Sequence, residues 1–254
     1  MALETLYKYG KIGEHSETLF STATIWFSSP GSLNDPFECR PWFTFDGSEQ
    51  QFLDLFTTIA RRKFPNCKPP QLVREARKLY NQGRHKDPKF WEKFRIDVTR
   101  MLSKQIGVCC LTRSSSNILM WSHYADEHKG FCLEFEATDF TPMFGAAQEV
   151  KYAEGFPTVD FFNTPHDAQV DLIFLTKYSG WQYEEEYRII DHTSGSGLHS
   201  YRAELLKSVT FGLRMPDSEK TRIRKWIEKR EVEVKLYQAS IDDRDFKITL
   251  ADAK

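Results

Sequence analysis

Polar and apolar residues alternate with a period of two in several stretches of this chain, which is the pattern of half-buried β-strands. Phe131, Leu133 and Phe135, for example, alternate with a cysteine and two glutamates. Other short runs are rich in aromatic and β-branched residues, which also favour strands. The predicted strands comprise residues 5–9, 24–28, 107–112, 130–136, 149–152, 181–191, 203–212, 232–239 and 246–250.

Between the second and third predicted strands, apolar residues recur with a helical period, and three helices are expected. A capping box of Ser48 and Gln51 predicts the start of the first helix. Pro70 takes the first position of the second helix, and the third covers residues 88–105 with Gly107 closing it. The remaining predictions are a short helix or turn at 118–125 and helices at 167–178 and 216–230.

Strands and helices are segregated along the chain, which favours an α+β fold over a doubly wound parallel sheet. We expect a single α+β domain over residues 1–254, with a mixed or antiparallel β-core and a helical insert at 48–105. The sequence contains neither of the glycine-rich motifs that bind phosphates at the start of a helix.

The composition is that of a globular protein, with 254 residues of which 40% are hydrophobic and 28% are charged. It excludes a disordered chain, a collagen-like chain and a disulfide-stapled mini-domain. No run approaches the roughly 18 apolar residues of a membrane span, and the N-terminal residues lack the apolar core of a secretory signal. The five cysteines form no C-x-x-C pair, so we expect no metal site and predict a soluble cytoplasmic protein with reduced thiols.

The charge is distributed unevenly, although the whole chain has a net charge of −1. Residues 61–104 contain fourteen lysines or arginines and four acidic residues, which gives this segment +10 and the other 210 residues −11. The segment forms either solvated helix faces or a face that binds nucleic-acid phosphates. Its aromatic residues Phe90, Trp91 and Phe94 either anchor a core or stack on bases. The candidate nucleic-acid-binding residues are Arg61, Arg62, Lys63, Arg74, Arg77 and Lys78.

Acidic residues are concentrated in the aromatic sequence WQYEEEYR at 181–188. On the predicted strand, Glu184, Glu186 and Arg188 point to one face, because alternate strand residues share a face. Two carboxylates beside an arginine suit acid–base catalysis or the binding of a cationic or hydroxyl-bearing ligand. The alternative is a ladder of cross-strand salt bridges at the surface, which contributes little to stability.

The sequence MWSHYA at 120–125 is the second candidate for chemistry. Ser122 and His123 are adjacent and point in different directions, so they do not form a nucleophile–base pair. His123 and Tyr124 are instead expected to form a polar wall.

The third candidate is the segment that contains two serines, a proline and Asn34-Asp35-Pro36. Asp35 is expected to stabilise a turn through its own backbone hydrogen bonds. Ser28 and Asn34 can line the same cleft as the acidic residues.

Five motifs occur in the order TLYKY, IWFSSPGSLNDPFEC, LMWSHYADEHKGFCLEF, WQYEEEYRII and SVTFG. In this order they resemble the motifs of a widespread bacterial domain family of unknown function, DUF2971. The resemblance covers nearly the whole chain, and it implies a grouping without an activity.

A more distant similarity concerns the ADP-ribosyltransferase fold, which includes DNA- and RNA-modifying enzymes. This resemblance implies a split β-sheet, NAD as the cofactor and a catalytic glutamate on a late strand. By this resemblance Glu186 holds the ribose hydroxyl and stabilises an oxocarbenium-like state, Glu184 orients the acceptor, and Arg188 completes the catalytic set. The residues assigned to NAD binding are Tyr7, Lys8, Tyr9, Ser28, Asn34, His123 and Tyr124.

The resemblance therefore implies an ADP-ribosyltransferase-like enzyme of bacterial toxin or phage-defence type, with a nucleic acid held by the basic insert as the candidate acceptor. One alternative is a non-catalytic nucleic-acid-binding or interaction module that uses the same insert. A second alternative is a nucleotide or nucleic-acid hydrolase that uses the same carboxylates.

Overall fold

The computed structural model of the protein describes residues 3–253. Its strands are β1 (Thr5–Gly10), β2 (Thr24–Phe27), β3 (Trp42–Thr44), β4 (Gly107–Thr112), β5 (Phe131–Glu136), β6 (Gln148–Glu149), β7 (Lys151–Ala153), β8 (Thr158–Asp160), β9 (Thr176–Tyr178), β10 (Glu186–Asp191), β11 (Gly197–Ser200), β12 (Leu206–Phe211), β13 (Lys235–Ile241) and β14 (Ile248–Asp252). Its α-helices are α1 (Ser16–Ser21), α2 (Glu49–Lys63), α3 (Pro69–Asn81), α4 (Pro88–Gln105), α5 (Ile118–Tyr124), α6 (His166–Phe174) and α7 (Asp217–Ile227). Among these described residues, no helix has the length and apolar character needed to span a bilayer.

Eight of the strands form one sheet in the order β14-β13-β12-β5-β1-β4-β10-β6. Neighbouring strands are antiparallel except β12 and β13, which are parallel. The predicted combination of helices with a mixed β-core is therefore confirmed.

The sheet divides between β1 and β4. β1 pairs with β5 along its whole length through six registered pairs, and β4 pairs with β10 in the same way. Within the described chain, β1 and β4 share a single registered pair, Tyr7 opposite Thr112. Because backbone hydrogen bonds hold strands together, one pair leaves the two strands free to diverge on either side of it.

The two faces of the large sheet pack against different elements, because successive strand residues point to opposite faces. On one face, Leu6 and Leu133 belong to a core that includes residues of α1 and α7. On the other face, Tyr9 and Cys132 pack with Trp121 of α5. This second face lies next to the polar residues described below.

Around the predicted helical insert, one element boundary is confirmed and two are corrected. The side chain and backbone of Ser48 form the predicted capping box with Gln51 at the start of α2. α3 begins at Pro69, so Pro70 takes its second position rather than its first. Gly107 does not close α4, which ends at Gln105; it begins β4 instead.

Glycine is required at position 107 because another backbone approaches it closely. A Cβ atom added to Gly107 would lie 2.1 Å from the carbonyl oxygen of Gly195. That separation is far below van der Waals contact, so any other residue forces one of the two backbones to move.

The chain divides into two compact units, and the large sheet belongs to the first, formed by residues up to 38, 104–154 and 177 onward. The second unit comprises 39–103 and 155–176 and contains the parallel pair of β3 with β8 together with α2, α3 and most of α4. Its core includes Phe52, Phe56 and Trp91, with Phe90 and Phe94 packed against them. These aromatic rings of the basic segment therefore anchor a core and are not free to stack on bases.

Candidate functional site

A pocket of about 220 Å³ lies in the first unit, with walls from both strands at the division of the sheet. β1 contributes Tyr7, Lys8 and Tyr9, and β4 contributes residues 110–112. The division thus creates a concave site in a sheet whose other neighbouring strands are paired more extensively. The remaining lining residues are Ser28, Ser32, Leu33, Asn34, Glu38, Met120, Tyr124, Lys177, Glu184, Glu186 and Arg188.

The structure brings together all but one of the predicted catalytic and cofactor-binding residues. His123 is absent from the pocket wall; it is exposed, and its Nδ1 lies 2.9 Å from the hydroxyl of Tyr183. The residues that do line the pocket are Tyr7, Lys8, Tyr9, Ser28, Asn34, Tyr124, Glu184, Glu186 and Arg188.

Glu184 reaches the pocket from a turn, so the predicted continuous strand over 181–191 is wrong. Residues 179–184 form a 3₁₀-helix, Glu185 has a left-handed backbone with φ of 44°, and β10 begins at Glu186. Two backbone carbonyls of the turn accept hydrogen bonds from side chains rather than from a neighbouring strand. The hydroxyl of Thr112 donates to the Glu184 carbonyl at 2.5 Å, and the amide of Asn117 donates to the Tyr183 carbonyl at 2.7 Å.

A buried ammonium group, that of Lys177, joins the two carboxylates. Its Nζ lies 2.5 Å from Oε2 of Glu184, 2.9 Å from Oε2 of Glu186 and 3.1 Å from Oε1 of Glu38. The exposed fraction of each of these four side chains is between 2% and 4%. The carboxylates therefore share one cation rather than repelling each other along a strand.

Arg188 completes this buried cluster from β10. Its Nε donates to Oε1 of Glu186 at 2.7 Å, and its guanidinium also bonds to Glu38. Three carboxylates and two cations are therefore buried together. Such a cluster is stable only when each charge has close partners of opposite sign. The alternative of a surface ladder of weak salt bridges is accordingly excluded for these residues.

Lys177 and Glu38 were not among the predicted site residues. Glu38 lies four residues after Asn34, in a segment that the sequence already marked as a candidate, so its role could have been predicted. Nothing in the sequence indicated Lys177, because it fell within the predicted helix 167–178. In the structure α6 ends at Phe174, and Lys177 lies in β9.

The pKa values of Glu184 and Glu186 are shifted in opposite directions. Burial favours the neutral form of Glu186, but the charges of Arg188 and Lys177 outweigh it and lower its pKa to about 2. Burial raises the pKa of Glu184 above its ordinary value, and Lys177 offsets only part of that effect. Such a divergence is the usual sign of two carboxylates with different roles.

A hydrogen-bonded chain connects Glu184 to the outer part of the pocket. The hydroxyl of Tyr124 donates to Oε1 of Glu184 at 2.5 Å, and the amide of Asn34 donates to the same hydroxyl at 3.0 Å. Burial, followed by the contact with Glu184, raises the pKa of Tyr124, so it remains a phenol and a donor.

Lys8 supplies a positive charge to the opposite wall. Its Nζ donates to the carbonyl of Cys110 at 3.0 Å, across the division of the sheet. No carboxylate of residues 3–253 forms an ion pair with it. An anionic group of a ligand can therefore meet an ammonium group that is not already neutralised.

The remaining candidate residues have structural contacts. Asp35 accepts a hydrogen bond from the backbone of Phe37 at 2.8 Å, which confirms its turn role, and another from Nε1 of Trp181 at 2.8 Å. Ser122 lies 3.0 Å from Nε2 of His128. In the described part of the chain, no three His, Cys, Asp or Glu side chains are arranged to hold a metal ion.

The basic residues lie on the helices of the second unit. Arg61, Arg62 and Lys63 form the last turn of α2 and are exposed, as are the candidate residues on α3. Ten of the fourteen cations of 61–104 have no carboxylate partner among the described residues. The four with partners are Arg77 with Glu49, Lys78 with Glu75, Arg84 with Asp87 and Arg100 with Asp97. Of the candidates, Arg74, Arg77 and Lys78 are the ones on α3.

One protein-family model matches part of the chain. Residues 120–189 match the family described as protein of unknown function (DUF2971). This confirms the predicted resemblance to DUF2971 for that segment, which runs from Met120 in α5 to Ile189 in β10. No curated protein and no solved structure matched the chain. The DUF2971 segment contains Tyr124, Lys177 and Glu184, together with Glu186 and Arg188 of β10.

Proposed function

We propose that the pocket binds the nicotinamide–ribose end of NAD and that the protein transfers ADP-ribose, with nicotinamide as the leaving group. The observation that carries this proposal is the pair Glu184 and Glu186. They share one buried ammonium, their pKa values move in opposite directions, and both line the same pocket.

The arrangement of the sheet supports an ADP-ribosyltransferase-like fold as part of the same proposal. The single registered pair between β1 and β4 divides the strands into two groups, and the pocket lies beside this division. This agrees with the split sheet that the resemblance implies. Fold-level similarity is a weak argument for activity, so the proposal depends on the pocket residues.

The size of the pocket limits which part of NAD it holds. Sites for whole drug-sized ligands have volumes of about 300–1,000 Å³, and this pocket has about 220 Å³. It accommodates one ring and its ribose, while the rest of the dinucleotide lies outside. Lys8 is the residue suited to hold a phosphate at the pocket wall, because its charge is not paired with a carboxylate.

The pocket residues then have separate tasks. Glu186 is ionised throughout the physiological pH range, so it stabilises positive charge that develops on a bound ribose. Glu184 has the raised pKa and accepts a hydrogen bond from Tyr124, so it is suited to receive a proton from an acceptor hydroxyl. Bound NAD supplies the glycosidic bond that is cleaved. A toxin or phage-defence role belongs to the same proposal, with the modified cellular macromolecule as the target.

Incubation of the purified protein with labelled NAD, together with nucleic acid or cell lysate, tests this proposal. We expect release of nicotinamide and labelling of a macromolecule. Both should be lost in Glu186→Gln and Glu184→Gln. Glu185→Gln is the matched control, because Glu185 lies between them in sequence but is exposed and outside the pocket wall. Far-UV circular dichroism establishes that each variant is folded.

Binding can be measured separately from turnover. NAD at a hundredfold excess over its dissociation constant should stabilise the protein by about 2.7 kcal/mol, and Lys8→Met should reduce this effect. The proposal fails if wild-type protein releases no nicotinamide above the buffer background. It also fails if Glu184→Gln and Glu186→Gln, both folded, release nicotinamide as fast as Glu185→Gln does.

A second candidate function is nucleic-acid binding by the basic helices of the second unit. It is favoured by the exposed cations without carboxylate partners, which remain available to phosphates. Cations that pair with surface carboxylates would already have part of their charge neutralised. This function can accompany the first, as the means of holding an acceptor, or stand alone without catalysis.

Salt-dependent binding to labelled single- and double-stranded nucleic acid tests it. Replacing Arg61, Arg62 and Lys63 by glutamine should weaken binding and reduce the slope of log affinity against log salt by about 3. The control replaces three exposed lysines of the first unit, Lys151, Lys225 and Lys235, with the same change of charge. Equal losses in the two triple variants would show that net charge alone is responsible and would exclude a binding face on α2.

A further inference from the structure

One edge of the large sheet, formed by β14, presents backbone groups that point away from the sheet. The hydrogen bonds at its two ends establish which ones. Ala253 N donates to the Leu236 carbonyl at 2.9 Å, and Asp242 N donates to the Lys247 carbonyl at 3.0 Å. In antiparallel strands, hydrogen-bonded pairs alternate with pairs that are not bonded. Residues 247, 249, 251 and 253 therefore bond inward to β13.

The residues between them, Ile248, Leu250 and Asp252, direct their backbone N–H and C=O groups outward. β14 is the terminal strand in the order of the sheet, and no other strand within residues 3–253 pairs with this side. Three residues with both backbone groups unpaired form a template for another extended strand.

This edge lacks the features that usually prevent such pairing. β14 has the sequence ITLAD, with no proline, no lysine and no bulge in its pairing with β13. The other edge strand, β6, has two residues, of which one is Glu149. Short length and charge protect that edge, whereas β14 is longer and mostly uncharged.

Apolar side chains beside the edge are also exposed. The exposed fraction is 72% for Ile241 and 40% for Leu250, and Phe246 in the turn before β14 is fully exposed. Single exposed apolar residues are common, but three beside an unpaired strand give a partner strand side chains to cover.

We propose that β14 pairs with β14 of a second copy of this chain, antiparallel, with a two-fold axis at Leu250. The register follows from the outward residues. Only when Leu250 faces its own counterpart do all three outward residues of one strand meet outward residues of the other, with Ile248 opposite Asp252. A self-complementary arrangement of this kind is what a two-fold dimer requires.

The side chains are compatible with this register. The two leucines are in contact at the axis, and each Asp252 faces an isoleucine rather than the other Asp252. A register centred on Asp252 would place the carboxylates opposite each other, which is destabilising. A second copy therefore fits this edge in a register that places no two carboxylates opposite each other.

Analytical ultracentrifugation across a range of protein concentrations tests the dimer. Leu250→Pro removes an outward N–H and no bond to β13, so it should leave the monomer folded and abolish pairing. Leu250→Lys places two ammonium groups opposite each other at the axis and should do the same. Leu250→Val, which retains the N–H and an apolar side chain, is the matched control and should remain dimeric.

Circular dichroism and thermal unfolding establish that the variants are folded. A dimer in the wild type and in Leu250→Val, with monomers in the other two variants, supports the proposal. A wild-type protein that is monomeric at every concentration overturns it and leaves the edge to a strand from a different protein. A dimer that persists in folded Leu250→Pro and Leu250→Lys also overturns it, because its interface must then lie elsewhere.

Discussion

Replacement of Lys177 by methionine should be one of the most destabilising changes in the first unit. The ammonium is 2% exposed and lies within 3.1 Å of carboxylate oxygens of Glu38, Glu184 and Glu186. Methionine fills a similar volume without the charge, so three carboxylates are left with the guanidinium of Arg188 alone. Loss of one partner from a buried ion cluster costs about 3–5 kcal/mol. We expect a loss of this size at pH 7.5, measured by urea denaturation.

The pKa of Glu186 shows what Arg188 and Lys177 together contribute to stability. The cations lower it from 4.5 to about 2, which corresponds to about 3 kcal/mol of stability when the carboxylate is ionised. In the wild type, this contribution is complete above the unfolded-state pKa and is lost as the pH falls toward 2. The wild-type protein should therefore become less stable on acidification below about pH 5.

The Lys177→Met variant should respond to acid with the opposite sign. Without the ammonium, Glu184 loses the largest influence that opposes its burial, so its folded-state pKa rises further above that of the unfolded chain. Protonation then favours the folded state, so the variant should gain stability between pH 7.5 and pH 5.5. The difference in unfolding free energy between wild type and variant should shrink over the same interval.

Lys207→Met is the matched control. Lys207 pairs with Glu136 at 2.7 Å, but both side chains are substantially exposed, so its loss should cost less than about 1 kcal/mol. The reasoning is refuted if Lys177→Met costs no more than Lys207→Met at pH 7.5. It is also refuted if the stability of Lys177→Met falls in parallel with the wild type on acidification to pH 5.5.

Three further changes have defined outcomes. Gly107→Ala should reduce the free energy of unfolding by about 1–3 kcal/mol and so lower the melting temperature, because the new Cβ lies 2.1 Å from a carbonyl oxygen. An unchanged melting temperature would contradict the close approach. Ser48→Ala should cost about 1 kcal/mol in urea denaturation by removing the capping box of α2, and Ser48→Asp should retain most of it. Tyr124→Phe should move the acid limb of the nicotinamide-release profile to higher pH, because the phenol hydrogen bond lowers the pKa of Glu184; an unshifted profile would show that Glu184 is not the titrating group.

Local patterns predicted those parts of the fold that depend on neighbours in sequence. The capping box at Ser48 and the extent of the helix over 88–105 were correct, because both depend on residues within a few turns. The strand predicted over 181–191 was wrong in its first half. There, the side chains of Thr112 and Asn117 bind the backbone carbonyls of 183 and 184, and no local pattern contains those distant donors.

The candidate site was predicted in most of its members and in little of its chemistry. Sequence motifs selected nine residues that line the pocket, including Glu184 and Glu186. The prediction paired these carboxylates along a strand and omitted Lys177, the cation that holds them together. Their opposite pKa shifts follow from burial and from that cation, and neither is encoded in residue spacing.

By itself, the sequence determined the start of α2, the extent of α4, the alternating faces of β5, the helical period of the basic segment and the concentration of positive charge within it. These properties depend on side-chain type and on short-range periodicity. The tertiary structure alone decided that Arg188 and Glu38, 150 residues apart, share a hydrogen bond, and that β1 and β4 part to form a pocket. Contacts between distant residues depend on how the strands pair and where they diverge, and that is settled by the burial of the whole core rather than by any single segment.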